Sequence, residues 1–312
     1  MKSTFYPGAA AGTHLRGLTF LLCVGLAMLL AGCKTIDSPS ATKFATGVLA
    51  VRTQADAALT AAATLTRNAG LAYVAAQTNL TETDFVETPP GDVIAAWDDA
   101  LFTMENYALN LAALSSPDAG KGFNAAATNL LGQFTQTSGL LGQNALQTSP
   151  AVSAGLATAF AEAGQLIVKA SAQATARKIA VATDPQIGRI LNLLASEIGD
   201  DRTGAGLRTT VYRTWNVKKD ALTGDFLRAK DPAAKMAVAQ QYANMLAERE
   251  AEDASLLGLH RSLLALRDEH HALAQGDPAL VASSVAIIAN ELQRTQDATS
   301  KAASQSGGSP KK

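Results

Sequence analysis

Cysteine is almost missing from this chain: of 312 residues only Cys23 and Cys33 carry a thiol. No set of disulfides can staple the fold, and the four-thiolate metal sites of zinc proteins are excluded. Aromatic residues make up 5 %, and period-two runs of Val, Ile, Tyr and Thr, the mark of strands, do not occur. Neither sign of charge is in excess: 26 basic residues face 27 acidic ones, so bulk charge gives no attraction to nucleic acid. What fills the chain instead is Ala, Leu, Thr and Gln. That composition predicts an all-α fold, an elongated multi-helix bundle in which small side chains let long helices approach closely.

The first half-dozen turns' worth of sequence is different in kind. Lys2 and Arg16 precede an apolar run from Leu18, and no acidic residue occurs before Asp37. The run is about 15 residues, short of the roughly 20 needed to cross a bilayer core. A basic start, an apolar middle and small residues at its end are the parts of a secretory signal. The run closes on Leu30, Ala31, Gly32 and Cys33, and this Leu-Ala-Gly-Cys ending resembles the lipobox of bacterial lipoproteins. The resemblance implies removal of residues 1–32, and a covalent diacylglycerol with an N-acyl chain on Cys33 as first mature residue. It also implies a place in the cell envelope. Lys34 is not the aspartate associated with inner-membrane retention in that family, so the resemblance leans to the outer membrane, facing the periplasm. Two or three acyl chains, at about 0.8 kcal/mol per buried methylene, would hold such a protein on the membrane. The mature chain would have 24 basic and 27 acidic residues, and with Cys23 gone no intrachain disulfide.

Residues 33–41, with Pro39 among serines, read as a lipidated tether. Beyond it Phe44, Val48, Val51, Ala55, Ala58, Ala62, Leu65, Ala69, Ala72 and Ala76 step by four and three, a heptad seam on one long helix. A coiled coil with another chain or a second copy would use that seam, but matching helices that follow at once favour packing within the chain. Asp92 is expected to cap a second helix through Trp97, Leu101, Met104 and Leu111, ending at Ser115. Another helix is expected from Pro150 to about Val181. Asp184-Pro185, Asp231-Pro232 and Asp277-Pro278 each read as a helix start, a capping Asp followed by Pro in the first turn. These starts frame helices over 185–198, 205–229, 232–274 and 278–300. The division that results is an N-terminal helical segment over 42–182, a C-terminal helical segment over 183–300 packed on it, and a disordered tail over 301–312.

Between Gly122 and Ala161 there is no charged residue. Charge depletion marks buried helix faces and covered surfaces more often than membrane ones, and Gln, Asn and Thr are too frequent there for a span. The stretch is therefore expected to be buried or covered by a partner; entry into a bilayer is the alternative.

Candidate chemistry is thin. His260, His270 and His271 share one helix, with Asp268 three residues before His271. The outer two histidines stand about 16 Å apart by helical rise, so they cannot share an ion. With no Glu-x-x-His and no cysteine ligand, these are expected to be solvated histidines and no metal is expected. No Gly-x-Ser-x-Gly turn occurs, and Asp98-Asp99 and Asp200-Asp201 read as capping and solubility residues. Arg208, Arg213, Lys218 and Lys219, interleaved with Tyr212 and Trp215, form the one basic cluster. It is expected to be a solvated face, with anionic-surface contact as its weak functional reading, while Trp215 belongs to the core; residues 248–253 are expected to be solvated as well. Function on these grounds is a non-catalytic scaffolding or protein-interaction role at the envelope, with no cofactor beyond the lipid and no nucleic acid. The alternative is a membrane-active protein that inserts residues 122–161; a catalytic site assembled across helices is the third possibility.

Overall fold

The four-three seam forms one face of a single long helix, α1 (Ser38–Val74), in the computed structural model. Phe44, Val48, Val51, Ala55, Ala58 and Ala62 are buried along it, and Leu65 closes the buried run. The structure describes residue 36 and residues 38–74, 88–115, 129, 131–139, 150–171 and 176–306. The segment read as a signal, with Leu30, Ala31, Gly32 and Cys33, lies outside these residues, as do Lys34, Thr35, Asp37 and Ala76; the tether read over 33–41 is corrected at its end, where Ser38 already starts α1 and Ile36, Ser40 and Ala41 are buried. α1 packs on helices of its own chain, so its narrow alanine face serves the bundle.

The elements that follow are α2 (Gly91–Leu114), the helical stretch 131–139 (α3), α4 (Pro150–Ser171) and α5 (Ala176–Ile198). Then come α6 (Leu207–Arg228), α7 (Pro232–Gln275) and α8 (Pro278–Ser306). No strand occurs among the described residues. α7 is the spine: at 44 residues it runs about 66 Å, and α1, α5, α6 and α8 all pack against it. Ile36–Lys312 forms one compact unit. Trp97, Tyr107, Phe44, Phe134 and Phe160 are the largest fully buried side chains, and each buried Phe contributes about 1.5–3 kcal/mol.

Two of the three Asp-Pro pairs start helices. Asp231 Oδ1 accepts the Ala234 N–H at 2.8 Å, and Asp277 Oδ1 accepts from Ala279 and Leu280 at 3.0 and 3.1 Å. Gly276, at φ 69°, ends α7 in the left-handed region that the turn to α8 requires. The third pair does not start a helix: α5 begins at Ala176 and carries Pro185 inside it. Asp184 is thus helical, and its carboxylate is free for tertiary partners. The boundary placed at 182/183 accordingly falls within one helix. Asp92 is likewise not the cap of α2; Pro90 holds that position in extended conformation, and Asp92 sits in the first turn. The tail read as disordered from 301 continues as helix to Ser306, and 307–312 lie outside the described residues.

The uncharged stretch is described over 129, 131–139 and 150–161. There it buries Phe134, Thr137, Leu156, Ala159 and Phe160, with Thr137 Oγ1 2.8 Å from Thr103 Oγ1 of α2. Residues 140–149, Leu140 and Leu141 among them, lie outside the described residues. No described helix is long and apolar enough to cross a membrane.

Candidate functional site

Leu256, Leu259, Leu263, Leu266 and Leu273 make the buried seam of α7, and His270 falls on the same four-three steps. Burial follows from that register, so His270 is not a solvated histidine; it is fully enclosed. Its ring needs two partners there. Nδ1–H donates to Asp184 Oδ1 at 2.9 Å, which fixes Nε2 as acceptor for the Tyr107 hydroxyl at 2.9 Å. Thr183 Oγ1 lies 2.7 Å from the same phenol oxygen. On the surface side, His271 Nδ1–H donates to Asp184 Oδ2 at 2.6 Å, and Gln275 reaches His271 Nε2. α2, α5 and α7 are joined through this chain of groups. Burial alone would raise the Asp184 carboxyl, but the bonds from His270 and His271 outweigh it and hold it below the usual range. Burial lowers His270 against the pull of Asp184, and burial raises Tyr107. At neutral pH Asp184 is therefore ionised and holds the enclosed, neutral His270 ring in place, a clamp between helices.

His260 is tied to the Ala195 carbonyl at 2.8 Å. Asp268 pairs with Arg267 at 2.6 Å and lines one surface cavity with Asp184 and His271, and no metal-holding group occurs among the described residues.

The basic cluster is split by the fold. Arg208 does not face solvent: it is 6 % exposed, with Nε 2.7 Å from Asp253 Oδ1 and Nη2 3.0 Å from Oδ2. Arg202 adds a third bond to Asp253 at 2.7 Å. Burial raises Asp253, and these guanidinium bonds more than reverse it. Of residues 248–253, Glu248 and Glu250 are exposed as expected, whereas Ala251 and Asp253 are buried because α6 lies along them. Arg213 is exposed, Lys219 pairs with Asp220 at 3.4 Å, and Lys218 with Glu248 at 3.3 Å. Trp215 is buried, as expected, its Nε1–H donating to Glu252 Oε2 at 2.9 Å. Asp98, read as a solubility residue, takes Arg52 of α1 in two bonds of 2.6 and 3.0 Å.

Sequence reasoning missed a broad groove between helices. α1, α6, α7 and α8 leave a groove of about 900 Å3 between them. Ala57, Ala61, Thr64 and Asn68 line it from α1, Thr295, Thr299 and Ala302 from α8. Trp215, Val217 and Lys218 from α6 face Glu248, Glu252 and Ser255 of α7. Its size is within the range of ligand and anchor sites, and its lining is mainly apolar with its charges on the α6–α7 wall. Glu252 Oε1 is buried without a partner, and burial raises the carboxyl to about 7, opposed by Trp215 and Lys218. A signal was present: the α1 positions 57, 61, 64 and 68 form a second four-three stripe beside the core seam.

Fold and sites together define an all-helical bundle held by a buried tyrosine–histidine–aspartate clamp and opened by one broad apolar groove. Comparison of the chain with protein-family models, curated proteins and solved structures gives no match.

Proposed function

We propose that this is a lipid-anchored protein of the bacterial cell envelope, fixed by acyl chains on Cys33, whose helical bundle works as a scaffold or binding module. The outer membrane, periplasmic side, is the location that fits Lys34. The anchor rests on Leu30, Ala31, Gly32 and Cys33 after their basic and apolar flanks. The observation that carries the binding role is the groove, where four helices present small side chains to an unfilled space of about 900 Å3. In the clamp Tyr107 and His270 are enclosed, and the exposed His271 has both ring nitrogens engaged, by Asp184 and Gln275, which favours binding over turnover.

The test of the anchor is the intact mass of protein extracted from membranes, beside a Cys33→Ala variant. The expected product starts at Cys33 and carries diacylglycerol and an added acyl chain, and the variant carries neither. A native product that begins elsewhere, or lacks the hydrocarbon mass, removes the anchor from the proposal.

A further inference from the structure

The spacing of the groove's lining defines what fits it. α1 presents positions 57, 61, 64, 65, 68 and 69, α8 presents 295, 299, 302 and 303, and α7 presents 248, 251, 252 and 255. Within each set a stripe stepping by four and three runs along the groove. That is the period at which helix knobs enter helix holes, and an alkyl chain or a flat ring has no such period to match. The α1 stripe extends about 16 Å, three turns. Ala57 and Ala61 are exposed and too small to close the space themselves, so a helix axis can approach closely. Val217, 65 % exposed at the rim, adds apolar surface with no cover among the described residues.

The charges choose among helices. Lys218 is engaged by Glu248 and lies 4.6 Å over the Trp215 ring. Glu252 donates no proton to a partner and has one oxygen, Oε1, that no described group meets. The groove therefore carries, on a mainly apolar lining, a carboxyl with one buried oxygen unpaired beyond the reach of Trp215 and Lys218, and an incoming ammonium or guanidinium would supply the partner it lacks.

We propose that the groove is the docking site for an amphipathic helix of a partner protein, about three turns long, with a small apolar stripe and a Lys or Arg that reaches Glu252. This rests on the binding role above and names the partner's chemistry. A basic helix gains an ion pair and completes the four-helix surround, whereas an acidic one would set a second carboxylate against Glu252 and Glu248.

The measurement is fluorescence anisotropy of a labelled, end-capped amphipathic peptide of about 15 residues with an Ala/Leu heptad stripe flanked by Lys. It is titrated with the full mature chain in phosphatidylcholine nanodiscs, empty discs being subtracted. The same peptide with Glu for Lys, and dodecylamine as a cationic amphiphile that is not a helix, are the comparators. Saturable binding of the Lys peptide is expected, with the Glu peptide at least about tenfold weaker. Ala61→Trp, which fills the groove from an exposed position, is expected to weaken the Lys peptide about tenfold or more with unchanged helicity by circular dichroism. Glu252→Gln is expected to narrow the difference between the two peptides, and keeps the test open if Ala61→Trp fails to fold. The proposal is overturned by no binding of the Lys peptide, by equal binding of both peptides, by indifference to Ala61→Trp, or by full displacement at equal concentrations of dodecylamine. The peptide does not need the membrane, so the same titration in buffer stands or falls separately from the mass of the anchor.

Discussion

Glu269 sits on the buried face of α7 with 0 % exposure, and neither carboxylate oxygen has a hydrogen-bond partner. Burial pushes the carboxyl up to about 8, with Lys43 a weaker opposing influence. A carboxyl whose folded value exceeds its unfolded one contributes stability that is whole below about pH 4.5 and is lost as pH rises through its folded value. Between these limits each pH unit removes about 1.4 kcal/mol, so from pH 5.5 to 7.5 the native state loses about 3 kcal/mol through this one group. Glu269→Gln cannot ionise and must lack that loss. His270 works in the opposite sense, its lowered value penalising the fold as pH falls below about 6.5. Glu197 and Glu252, both raised by burial to about 7, add to the wild-type loss. All three are common to both proteins and cancel in the difference. Urea unfolding of wild type and Glu269→Gln at pH 5.5 and 7.5 isolates it: the gap between the two stabilities should widen by about 3 kcal/mol in favour of Gln. Parallel pH profiles would mean that Glu269 ionises as an ordinary surface carboxyl, and the placement of α1 over α7 would be refuted.

Two further outcomes test the clamp and the ion cluster. Tyr107→Phe removes the donor to His270 Nε2 and leaves that nitrogen buried and unmet, an expected loss of about 1–3 kcal/mol in thermal or urea unfolding; an unchanged midpoint would count against a closed clamp. Asp253→Ala leaves Arg208 charged and enclosed without its carboxylate, an expected loss of about 3–5 kcal/mol. Arg213→Ala, removing an exposed side chain of the same cluster, should change stability by less than about 0.5 kcal/mol, and equal effects of the two would show that Arg208 is not enclosed.

The heptad steps of α1 and the capping pairs at Asp231 and Asp277 were legible because they are local: a side-chain period and an Asp next to a Pro act within one or two turns of chain. So was the place of Trp215 in the core, which follows from its register with Leu207 and Val211. His270 was legible in principle, since it keeps step with Leu263, Leu266 and Leu273, but a titratable side chain at a seam position reads equally as a surface group until its partners are known. Those partners, Tyr107 and Asp184, lie 163 and 86 residues away, and no local pattern couples them.

The same distinction separates Arg208 from Arg213. Five residues of α6, about 140° around its axis, divide them, and the path of α7 decides that the first meets Asp253 while the second meets water. Pro185 shows the converse, a strong local stop signal carried through because Asp184 finds its histidines across the bundle. The chain by itself determined that it is helical, where α7 and α8 start, and the Leu-Ala-Gly-Cys pattern on which the envelope reading depends. Only the tertiary structure decided which charges are enclosed, which rings share one carboxylate as acceptor, and that four helices diverge to leave a groove. Period and propensity act over a few residues, whereas burial and pairing are properties of helices brought side by side.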